Sequence, residues 1–426
     1  MKIMVVGGGG REHTIIRKLR ENPEVQEIFA LPGNGGIAQD ATCVPIGATA
    51  IDDIVAFAKD NAIEFAVVAP DDPLAMGCVD RLNAIGIPCF GPVAKAAEIE
   101  ASKVFSKNLM KKYNIPTAKY ETFDDADKAV EYILAGNFPI VIKADGLALG
   151  KGVLICQDAE EAKEGVKSIM LDKQFGASGN RIVVEEFLEG PEVSVLAFTD
   201  GKVVKPMVSS MDHKRAGDND TGLNTGGMGT IAPNPYYTAE IAEQCMQEIF
   251  LPTIAAMNAE GRTFKGCLYF GLMLTKNGPK VIEYNCRFGD PETQVVLPLL
   301  KSDLLTIMQA CENGTLADTE VEFSDGSACC VIIASGGYPV AYEKGKVISM
   351  NGAEDAENVR VFHSGTKLSD AGELLSNGGR VLGVTATADS LENAIRDAYA
   401  AAEKIEFEGM FMRHDIGQRA LKAHNS

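Results

Sequence analysis

Short apolar runs alternate with helical patterns over the first hundred residues of the chain. KIMVV, EIFALPG, FAVVAP and IPCFGP are strand-like, and the stretches near 11–21 and 51–61 have the apolar spacing of helices. This alternation predicts a parallel sheet with helices on both faces. Four glycines at 7–10 lie between the first strand and the first helix, where a dinucleotide-binding fold has its phosphate loop.

The pattern changes from about residue 120. PIVIKADGLALGKGVLIC predicts a strand, a glycine turn and a second strand, and a charged helix near 158–170 and the strand RIVVEEFLEG follow. The run EVSVLAFTDGKVVKPMV predicts a hairpin whose turn contains Asp200 and Gly201. Together these segments indicate a small α+β unit.

The rest of the chain contains one long polar segment between structured regions. Residues 212–229 are rich in glycine and charge, and we expect an unpacked functional loop there. A helix near 239–260, the hairpin CLYFGLMLTKNGPKVIEYN and a helix near 292–312 are predicted next. The tail from about 328 ends with a helix near 390–404 and is expected to form a separate α+β module.

Composition narrows the classes of function. The net charge is −19 and no long basic run offsets it, so we expect neither nucleic acid nor an anionic membrane as a partner. The chain has no apolar stretch of roughly 18 residues and no signal-peptide pattern at its start, which favours a cytoplasmic protein. The ten cysteines include no CxxC pair and no zinc spacing, so we expect reduced structural thiols.

A glycine-rich turn between two strands, KADGLALGKGV at 143–153, is the first candidate site. Its glycines let backbone N–H groups approach an anion closely, and Lys143 and Lys151 add positive charge. A flexible hairpin with solvated lysines is the alternative.

The strand KVIEYNCRFGDPE at 280–292 is the second candidate. Strand alternation predicts Glu283, Asn285 and Arg287 on one face, with Ile282 and Tyr284 on the other. Carboxylate and amide oxygens suit Mg²⁺, and a guanidinium fork suits a carboxylate or phosphate. The alternative is an edge strand whose polar residues face water.

Two charged segments complete the set of candidates. In VVEEFLEGPEVS, Glu186 and Glu192 flank a hinge that is suited to an adenine edge and ribose hydroxyls, unless it is a plain charged strand end. Residues 212–215, DHKR, combine charges of both signs and are suited to a zwitterion or a phosphate, unless the loop is simply solvated.

In this order the four segments resemble the layout of ATP-grasp enzymes, and more narrowly the phosphoribosylamine–glycine ligase family of purine biosynthesis. Matching motifs extend over essentially the whole chain, and DHKR, NTGGMG and NCRFGDPETQ are the most specific. The resemblance implies that ATP phosphorylates the carboxylate of glycine and that the amine of 5-phosphoribosylamine attacks the resulting glycyl phosphate. Catalysis would rest on positioning and charge neutralisation, with no nucleophilic side chain.

The resemblance also implies roles for individual residues. Glu283 and Asn285 would bind Mg²⁺ or Mn²⁺. Asp212 would take the glycine ammonium and Arg287 its carboxylate, and these two residues and Lys143 are the expected catalytic residues. The implied ATP-binding residues are Lys103, Lys143, Gly146, Gly150, Lys151, Gly152, Glu186, Phe187, Leu188 and Glu192.

The opening GGGGREH does not fit the dinucleotide fingerprint Gly-x-Gly-x-x-Gly, because its last position holds Glu12 or His13. A helix start still favours an anion, so we expect this loop to hold the phosphate of phosphoribosylamine. The chain departs from many relatives at Gly8, where they have a polar residue, and at Asp71, where they have glutamate. The residues expected to contact phosphoribosylamine or glycine are Gly8, Gly9, Gly10, Arg11, Asn34, Asp71, Asp212, His213, Lys214 and Arg287.

The implied fold is a multidomain α/β and α+β protein, and we expect a monomer. A Rossmann-like pre-ATP-grasp domain for phosphoribosylamine would span 1–101, and an ATP-grasp lid with its lead-in helix 102–190. A large ATP-grasp subdomain would span 191–326 and a small C-terminal α+β domain 327–426.

Three alternative functions stay open: another ATP-grasp enzyme such as a carboxylase, a nicotinamide-dependent dehydrogenase, and a nucleotide-binding regulator without catalysis.

Overall fold

The N-terminal region is a five-stranded parallel sheet with helices on both faces, as the alternating pattern predicts. A computed structural model of the chain describes residues 1–148 and 152–424. The strand order is β3-β2-β1-β4-β5, and every pairing is parallel. The elements are β1 (Lys2–Gly7), α1 (Gly10–Leu19), β2 (Glu27–Pro32), α2 (Ile37–Asp40), β3 (Thr42–Cys43), α3 (Ile51–Asp60), β4 (Phe65–Val68), α4 (Asp71–Ala75), α5 (Cys78–Ala84) and β5 (Cys89–Phe90).

A small antiparallel sheet with its own core follows. Its order is β6-β9-β7-β8, and Ile140, Ile142, Ile182 and Val184 bury one face of it against helices. The next residues along the same strands, such as Lys143 and Glu185, therefore point to the opposite face. The elements are α6 (Ala94–Ala101), α7 (Lys103–Lys112), β6 (Tyr120–Phe123), α8 (Ala126–Leu134), β7 (Ile140–Ala144), β8 (Val153–Cys156), α9 (Ala159–Val166), which continues as a π turn, and β9 (Ile182–Glu186).

A second, larger antiparallel sheet has the order β11-β10-β16-β17. Its apolar residues share two buried clusters with the N-terminal sheet, so these two regions pack together. The predicted hairpins are both confirmed. The elements are β10 (Glu192–Thr199), β11 (Val204–Pro206), β12 (Met211–Asp212), β13 (Arg215–Gly217), β14 (Thr221–Asn224), β15 (Gly229–Ala232), α10 (Ala239–Cys245), α11 (Leu251–Ala259), β16 (Gly266–Thr275), β17 (Gly278–Asn285), α12 (Thr293–Val296) and α13 (Leu304–Asn313).

The single helix predicted near 292–312 is wrong. α12 ends at Val296, a 3₁₀ turn covers Leu297–Leu299, and the backbone is extended at Leu300. Pro298 lies in this turn and has no N–H to donate to a continuing helix. Asp303 then starts α13, because its side chain accepts a hydrogen bond from the Thr306 N–H.

The C-terminal region is completed by strands from the middle of the chain. Its five-stranded sheet has the order β12-β15-β18-β22-β19, so the segment 212–229 is not the unpacked loop that its polarity predicted. That segment runs from the last residue of β12 to the first residue of β15 and forms the hairpin β13-β14 between these two paired strands. The remaining elements are β18 (Ser327–Ala334), β19 (Val359–His363), β20 (Thr366–Leu368), β21 (Leu374–Ser376), β22 (Arg380–Ala388), α14 (Leu391–Ala402) and α15 (Gln418–His424).

The structure also describes the state of the cysteines and the length and apolar character of the helices. All ten cysteines are free thiols and nine are buried, which confirms the prediction from their spacing. Within residues 1–148 and 152–424, no helix has the length and apolar character needed to cross a bilayer.

Candidate active site

A cleft of about 1080 Å³ lies between the two antiparallel sheets and reaches the N-terminal and C-terminal regions. Gly8, Gly9, Gly10, Asn34 and His213 do not line it, and Gly150 and Lys151 fall outside the described residues. The expected residues that line it are Arg11, Asp71, Lys103, Lys143, Gly146, Gly152, Glu186, Phe187, Leu188, Glu192, Asp212, Lys214, Glu283, Asn285 and Arg287.

Two expected lysines lie on the side of the cleft formed by the small sheet. Lys143 Nζ donates to the Ile282 carbonyl at 2.9 Å and is 3.1 Å from Glu185 Oε2. Lys103 Nζ donates to the Gly146 carbonyl at 2.8 Å, and burial lowers the pKa of this amine. These contacts fix the Lys103 ammonium at the glycine turn and the Lys143 ammonium between the two antiparallel sheets, and both residues line the cleft.

A buried lysine–glutamate pair beside them was missed by the sequence analysis. Lys107 Nζ is 3.5 Å from Glu185 Oε1, and each of these side chains is less than 5% exposed. Burial lowers the pKa of Lys107 to about 8. Glu185 Oε1 is buried without a hydrogen-bond partner among the described residues. This oxygen therefore has only its ion pair with Lys107, and Glu185 lines the cleft one residue before the hinge at Glu186.

The glycine at 146 is required by its surroundings. Its φ is +139°, and a Cβ there would lie 2.4 Å from the Ser178 hydroxyl. No ordinary side chain fits that space, so the turn comes close to the 3₁₀ segment that contains Ser178.

The predicted metal strand has one irregularity. Glu283 pairs with Gly271 and Val281 with Leu272, so Ile282 is an extra residue in a β-bulge. Ile282 was expected on the face opposite Glu283, but both line the cleft. Burial opposes ionisation of Glu283, but Lys214 and neighbouring cations outweigh it and lower the pKa of this carboxyl. A charged carboxylate and the Asn285 amide thus share this end of β17.

Arg287 is anchored within the protein more fully than expected. Its Nη2 donates to Glu100 Oε1 at 2.9 Å and to Asn285 Oδ1 at 3.2 Å, and its Nη1 donates to the Phe288 carbonyl at 3.3 Å. Its Nε is buried and has no partner among the described residues. The guanidinium is therefore held by the protein through both of its terminal nitrogens, while Nε has no acceptor among the described residues.

Asp212 and Glu292 form a pair of carboxylates in the cleft, of which Glu292 is buried and Asp212 is half-buried. Glu292, which the sequence analysis missed, accepts from the Tyr269 hydroxyl at 3.0 Å, and Asp212 accepts from the His213 N–H at 2.8 Å. Burial and the charge of Glu292 hold the pKa of Asp212 well above its usual value. The ammonium of Lys214 is near this pair, but it forms its ion pairs with two other carboxylates, at 3.6 Å from Glu283 and 3.8 Å from Glu192. The carboxylate pair is therefore suited to a cationic ligand.

His213 was expected to contact a substrate, but it does not line the cleft. Its ring is 3% exposed, with Nδ1 3.1 Å from the Gly229 carbonyl and Nε2 accepting from the Gly417 N–H at 3.2 Å. Nδ1 must then carry the proton. Burial lowers the pKa of His213 to about 4. The residue is a neutral, buried link to the C-terminal region, since strand alternation turns it away from Asp212.

Part of the backbone cradle expected at the four glycines is occupied by the protein. The Gly9 N–H donates to Glu12 Oε2 at 2.7 Å and the Arg11 N–H donates to Asp290 Oδ2 at 3.3 Å. These two carboxylates disfavour a phosphate at the Gly9 amide, while the roles of Gly8 and Gly10 stay predictions.

Asn34 is a structural residue in these contacts. Its Nδ2 donates to the Gly8 carbonyl at 2.9 Å and to the His363 carbonyl at 2.7 Å. Its Oδ1 accepts from the N–H groups of Gly36 and Ile37. With its amide fully used, Asn34 joins the glycine turn to the C-terminal region and has no group left for a substrate.

Two guanidinium groups mark the end of the cleft nearest the N-terminal sheet. Arg11 Nη1 donates to the Phe288 carbonyl at 3.2 Å, and Arg380 Nη1 donates to the Asp290 carbonyl at 2.8 Å. Arg380 Nη2 is 3.7 Å from Asp290 Oδ1. Asp290 thus lies between two arginines, of which Arg380 was missed by the sequence analysis.

Comparisons with known proteins agree over the whole chain. Family models match in three consecutive parts: the phosphoribosylglycinamide synthetase N domain at 1–100, its ATP-grasp (A) domain at 101–293 and its C domain at 328–419. A curated relative, the phosphoribosylamine–glycine ligase of Vibrio vulnificus, is 46% identical over 424 residues, covering 99% of each chain.

Solved structures give the same result. The crystal structure of phosphoribosylamine–glycine ligase from Thermotoga maritima matches with a TM-score of 0.86 and 36% identity, covering 98% of this chain and 100% of that one. The biotin carboxylase domain of a Hydrogenobacter thermophilus 2-oxoglutarate carboxylase matches with a TM-score of 0.74, covering 96% and 91%. At 18% identity, the second likeness concerns the fold alone.

Proposed function

The chain belongs to the phosphoribosylglycinamide synthetase family, and from that premise we propose how its cleft carries out the family's reaction. The protein is an ATP-dependent ligase of purine biosynthesis that joins glycine to 5-phosphoribosylamine. The observation that carries the proposal is that one cleft collects lysines, an oxygen-donor pair, an arginine and a carboxylate pair from four parts of the fold.

ATP would occupy the side of the cleft between the two antiparallel sheets. Lys103 and Lys143 would contact its phosphates, because both line the cleft, with the Lys103 ammonium at the Gly146 carbonyl and the Lys143 ammonium at the Ile282 carbonyl. Glu186, Phe187 and Leu188 would frame the adenine, and Glu192 would bind the ribose. The glycine turn, from Gly146 through Gly150 and Lys151 to Gly152, would cover the phosphates.

Glu283 and Asn285 would hold Mg²⁺ or Mn²⁺. Their carboxylate and amide oxygens are the donors that such cations accept, and phosphate oxygens and water complete the shell. Within residues 1–148 and 152–424 no group of three or more acidic, histidine or cysteine side chains forms a ready-made metal site, so the protein would contribute few ligands. The cation would neutralise charge on the transferred phosphoryl group.

Glycine would bind between Arg287 and the carboxylate pair. The unsatisfied Nε of Arg287 suits its carboxylate, and Asp212 with Glu292 suits its ammonium. Substituting Arg287→Ala should raise the glycine requirement far more than the ATP requirement. An unchanged KM for glycine would remove Arg287 from this role.

Phosphoribosylamine would approach from the end that contains Asp71. Because carboxylates of the protein occupy the amides of Gly9 and Arg11, we assign its phosphate to the side chains of Arg11 and Arg380, with Asp71 near the ribose. The side chain of Lys214 remains a candidate contact in the same cleft. His213 and Asn34 would act on this site only through the backbone that they fix.

The reaction would pass through glycyl phosphate. An oxygen of the glycine carboxylate attacks the γ-phosphorus and ADP leaves; the amine nitrogen then attacks the acyl carbon and phosphate leaves, with the amine proton released. Glycine labelled with ¹⁸O in its carboxylate tests this order directly. Transfer of one ¹⁸O to inorganic phosphate is expected, and unlabelled phosphate would exclude the intermediate.

We further propose a cytoplasmic monomer with the domain ranges 1–101, 102–190, 191–326 and 327–426. The first two ranges meet at the end of α6, and the last two share the sheet β12-β15-β18-β22-β19, so we expect both junctions to resist limited proteolysis. Light scattering at the assay concentration tests the monomer.

A further inference from the structure

Glu100 is a buried carboxylate beside the cleft that has no part in the function described so far. It lies one residue before the end of α6 and is 9% exposed. Its Oε1 accepts from Arg287 Nη2 at 2.9 Å, and its Oε2 accepts from the Cys286 N–H at 2.8 Å. One carboxylate thus holds both the backbone and the side chain of the segment that follows the metal strand.

The contacts of Arg287 define which of its edges is free. Glu100 and Asn285 share Nη2, and the Phe288 carbonyl takes Nη1. Nε is buried and unpaired among the described residues. A buried N–H without an acceptor is costly, so this atom indicates a ligand acceptor rather than further packing.

We propose that Glu100 is a positioning residue that orients Arg287 so that its Nε edge faces the carboxylate of bound glycine. The inference rests on the proposed glycine site and deepens it. Arginine suits this arrangement because its planar fork can serve a protein carboxylate on one edge and a substrate carboxylate on the other.

The charges around Arg287 explain why a dedicated partner is needed. Glu100 and Asp71 are the two carboxylates that act most strongly on its guanidinium, and Glu100 is the one that contacts it, at 2.9 Å. Asp71 is therefore a competing carboxylate on the phosphoribosylamine side, and Asn285 is a competing acceptor on the metal side. Without the charge of Glu100, the side chain is free to turn toward either and away from glycine.

Glu100 also connects this arginine to the ATP phosphates. Ser102 caps α7 two residues later, and the adjacent Lys103 reaches the glycine turn through the Gly146 carbonyl. The same junction between α6 and α7 therefore places the phosphate-binding lysine and the glycine-binding arginine. Burial raises the pKa of Glu100 and the Arg287 guanidinium opposes that rise.

The test compares Glu100→Gln with Glu98→Gln in the full-length enzyme. Glu98 lies on the same helix, is partly exposed and pairs with Arg262, so it is a matched control outside the cleft. We expect Glu100→Gln to lower kcat/KM for glycine by about 100-fold, as for a misplaced catalytic group, with the KM for ATP within about threefold. Glu98→Gln should match the wild type.

A double-mutant cycle separates positioning from general stability. If Glu100 acts through Arg287, adding Glu100→Gln to Arg287→Ala causes no further loss in kcat/KM for glycine. Independent, multiplying losses would overturn the proposal, as would wild-type kinetics of Glu100→Gln. If Glu100→Gln does not fold, Glu100→Asp keeps the charge at shorter reach, and wild-type kcat/KM for glycine in that variant overturns the proposal. Failure of the proposed function looks different, since the wild type would then show no glycine-dependent ADP release.

Discussion

Replacing Asp212 with asparagine should stabilise the free protein while weakening glycine binding. The side chains have the same shape, and the asparagine oxygen can still accept from the His213 N–H. Only the charge is removed, and that charge lies beside Glu292 in a partly buried part of the cleft. The free enzyme carries this unfavourable pair because the substrate supplies the cation.

The direction of the stability change follows from the surroundings of Asp212, where burial and the charge of Glu292 raise the pKa of its carboxyl. Replacing a carboxylate that has no dedicated cationic partner by a neutral group of the same shape typically stabilises a protein by about 1–3 kcal/mol, and we expect a gain of that order for Asp212→Asn at pH 8. Losing a charged partner for the ammonium costs about 1.5–3 kcal/mol, which raises the KM for glycine roughly 10- to 100-fold.

The sign of the pH dependence is also determined. Because the folded carboxyl binds its proton more tightly than the unfolded one, its contribution is most favourable below the usual aspartate pKa of about 4. That contribution is lost as the pH rises from there toward the folded pKa of Asp212. The stability advantage of Asp212→Asn over the wild type should therefore be small near pH 4 and grow toward pH 8.

Thermal unfolding without ligands at pH 5 and pH 8, together with the KM for glycine at saturating ATP and phosphoribosylamine, measures both effects. Asp53→Asn, at an exposed position on α3, is the control for a change in net charge. A variant that is less stable than the wild type at pH 8 and has an unchanged KM for glycine would refute the reasoning.

Three further substitutions test other parts of the site. Lys143→Met should raise the KM for ATP at least tenfold in an ADP-release assay and leave the KM for glycine nearly unchanged; the reverse pattern would move Lys143 to the glycine site. Glu283→Gln should raise the Mg²⁺ concentration for half-maximal activity about tenfold, and full activity should vanish on chelation and return with Mg²⁺ or Mn²⁺; an unchanged metal requirement would exclude this carboxylate as a ligand. Asn34→Ala should lower the free energy of unfolding in urea by about 2 kcal/mol, because four backbone groups lose their partner; unchanged stability with a raised KM for phosphoribosylamine would restore a substrate-binding role.

Local patterns predicted most of the fold. The N-terminal alternation, the two hairpins and the strand pair on either side of the glycine turn each depend on residues within a short window, and all are confirmed. The break in the helix after Val296 could also be predicted locally, since Pro298 is the central residue of the 3₁₀ turn that ends it. The β-bulge at Ile282 was not, because it is defined by the register with a partner strand.

The parts of the site that sequence reasoning missed depend on distant contacts. Glu100 meets Arg287 across 187 positions, and Arg380 meets Asp290 across 90. His213 looked like a polar loop residue, but its ring is fixed by Gly417, 204 positions away. No periodicity or spacing in the chain encodes such pairs, so only the fold could bring them together.

The central claim is tested most directly by the substrate dependence of ADP release. The purified enzyme is supplied with ATP and Mg²⁺, and glycine and phosphoribosylamine are added separately and together. The account predicts sustained ADP release only with both, together with glycinamide ribonucleotide as product. Sustained ADP release with bicarbonate in place of glycine, or without phosphoribosylamine, would contradict it.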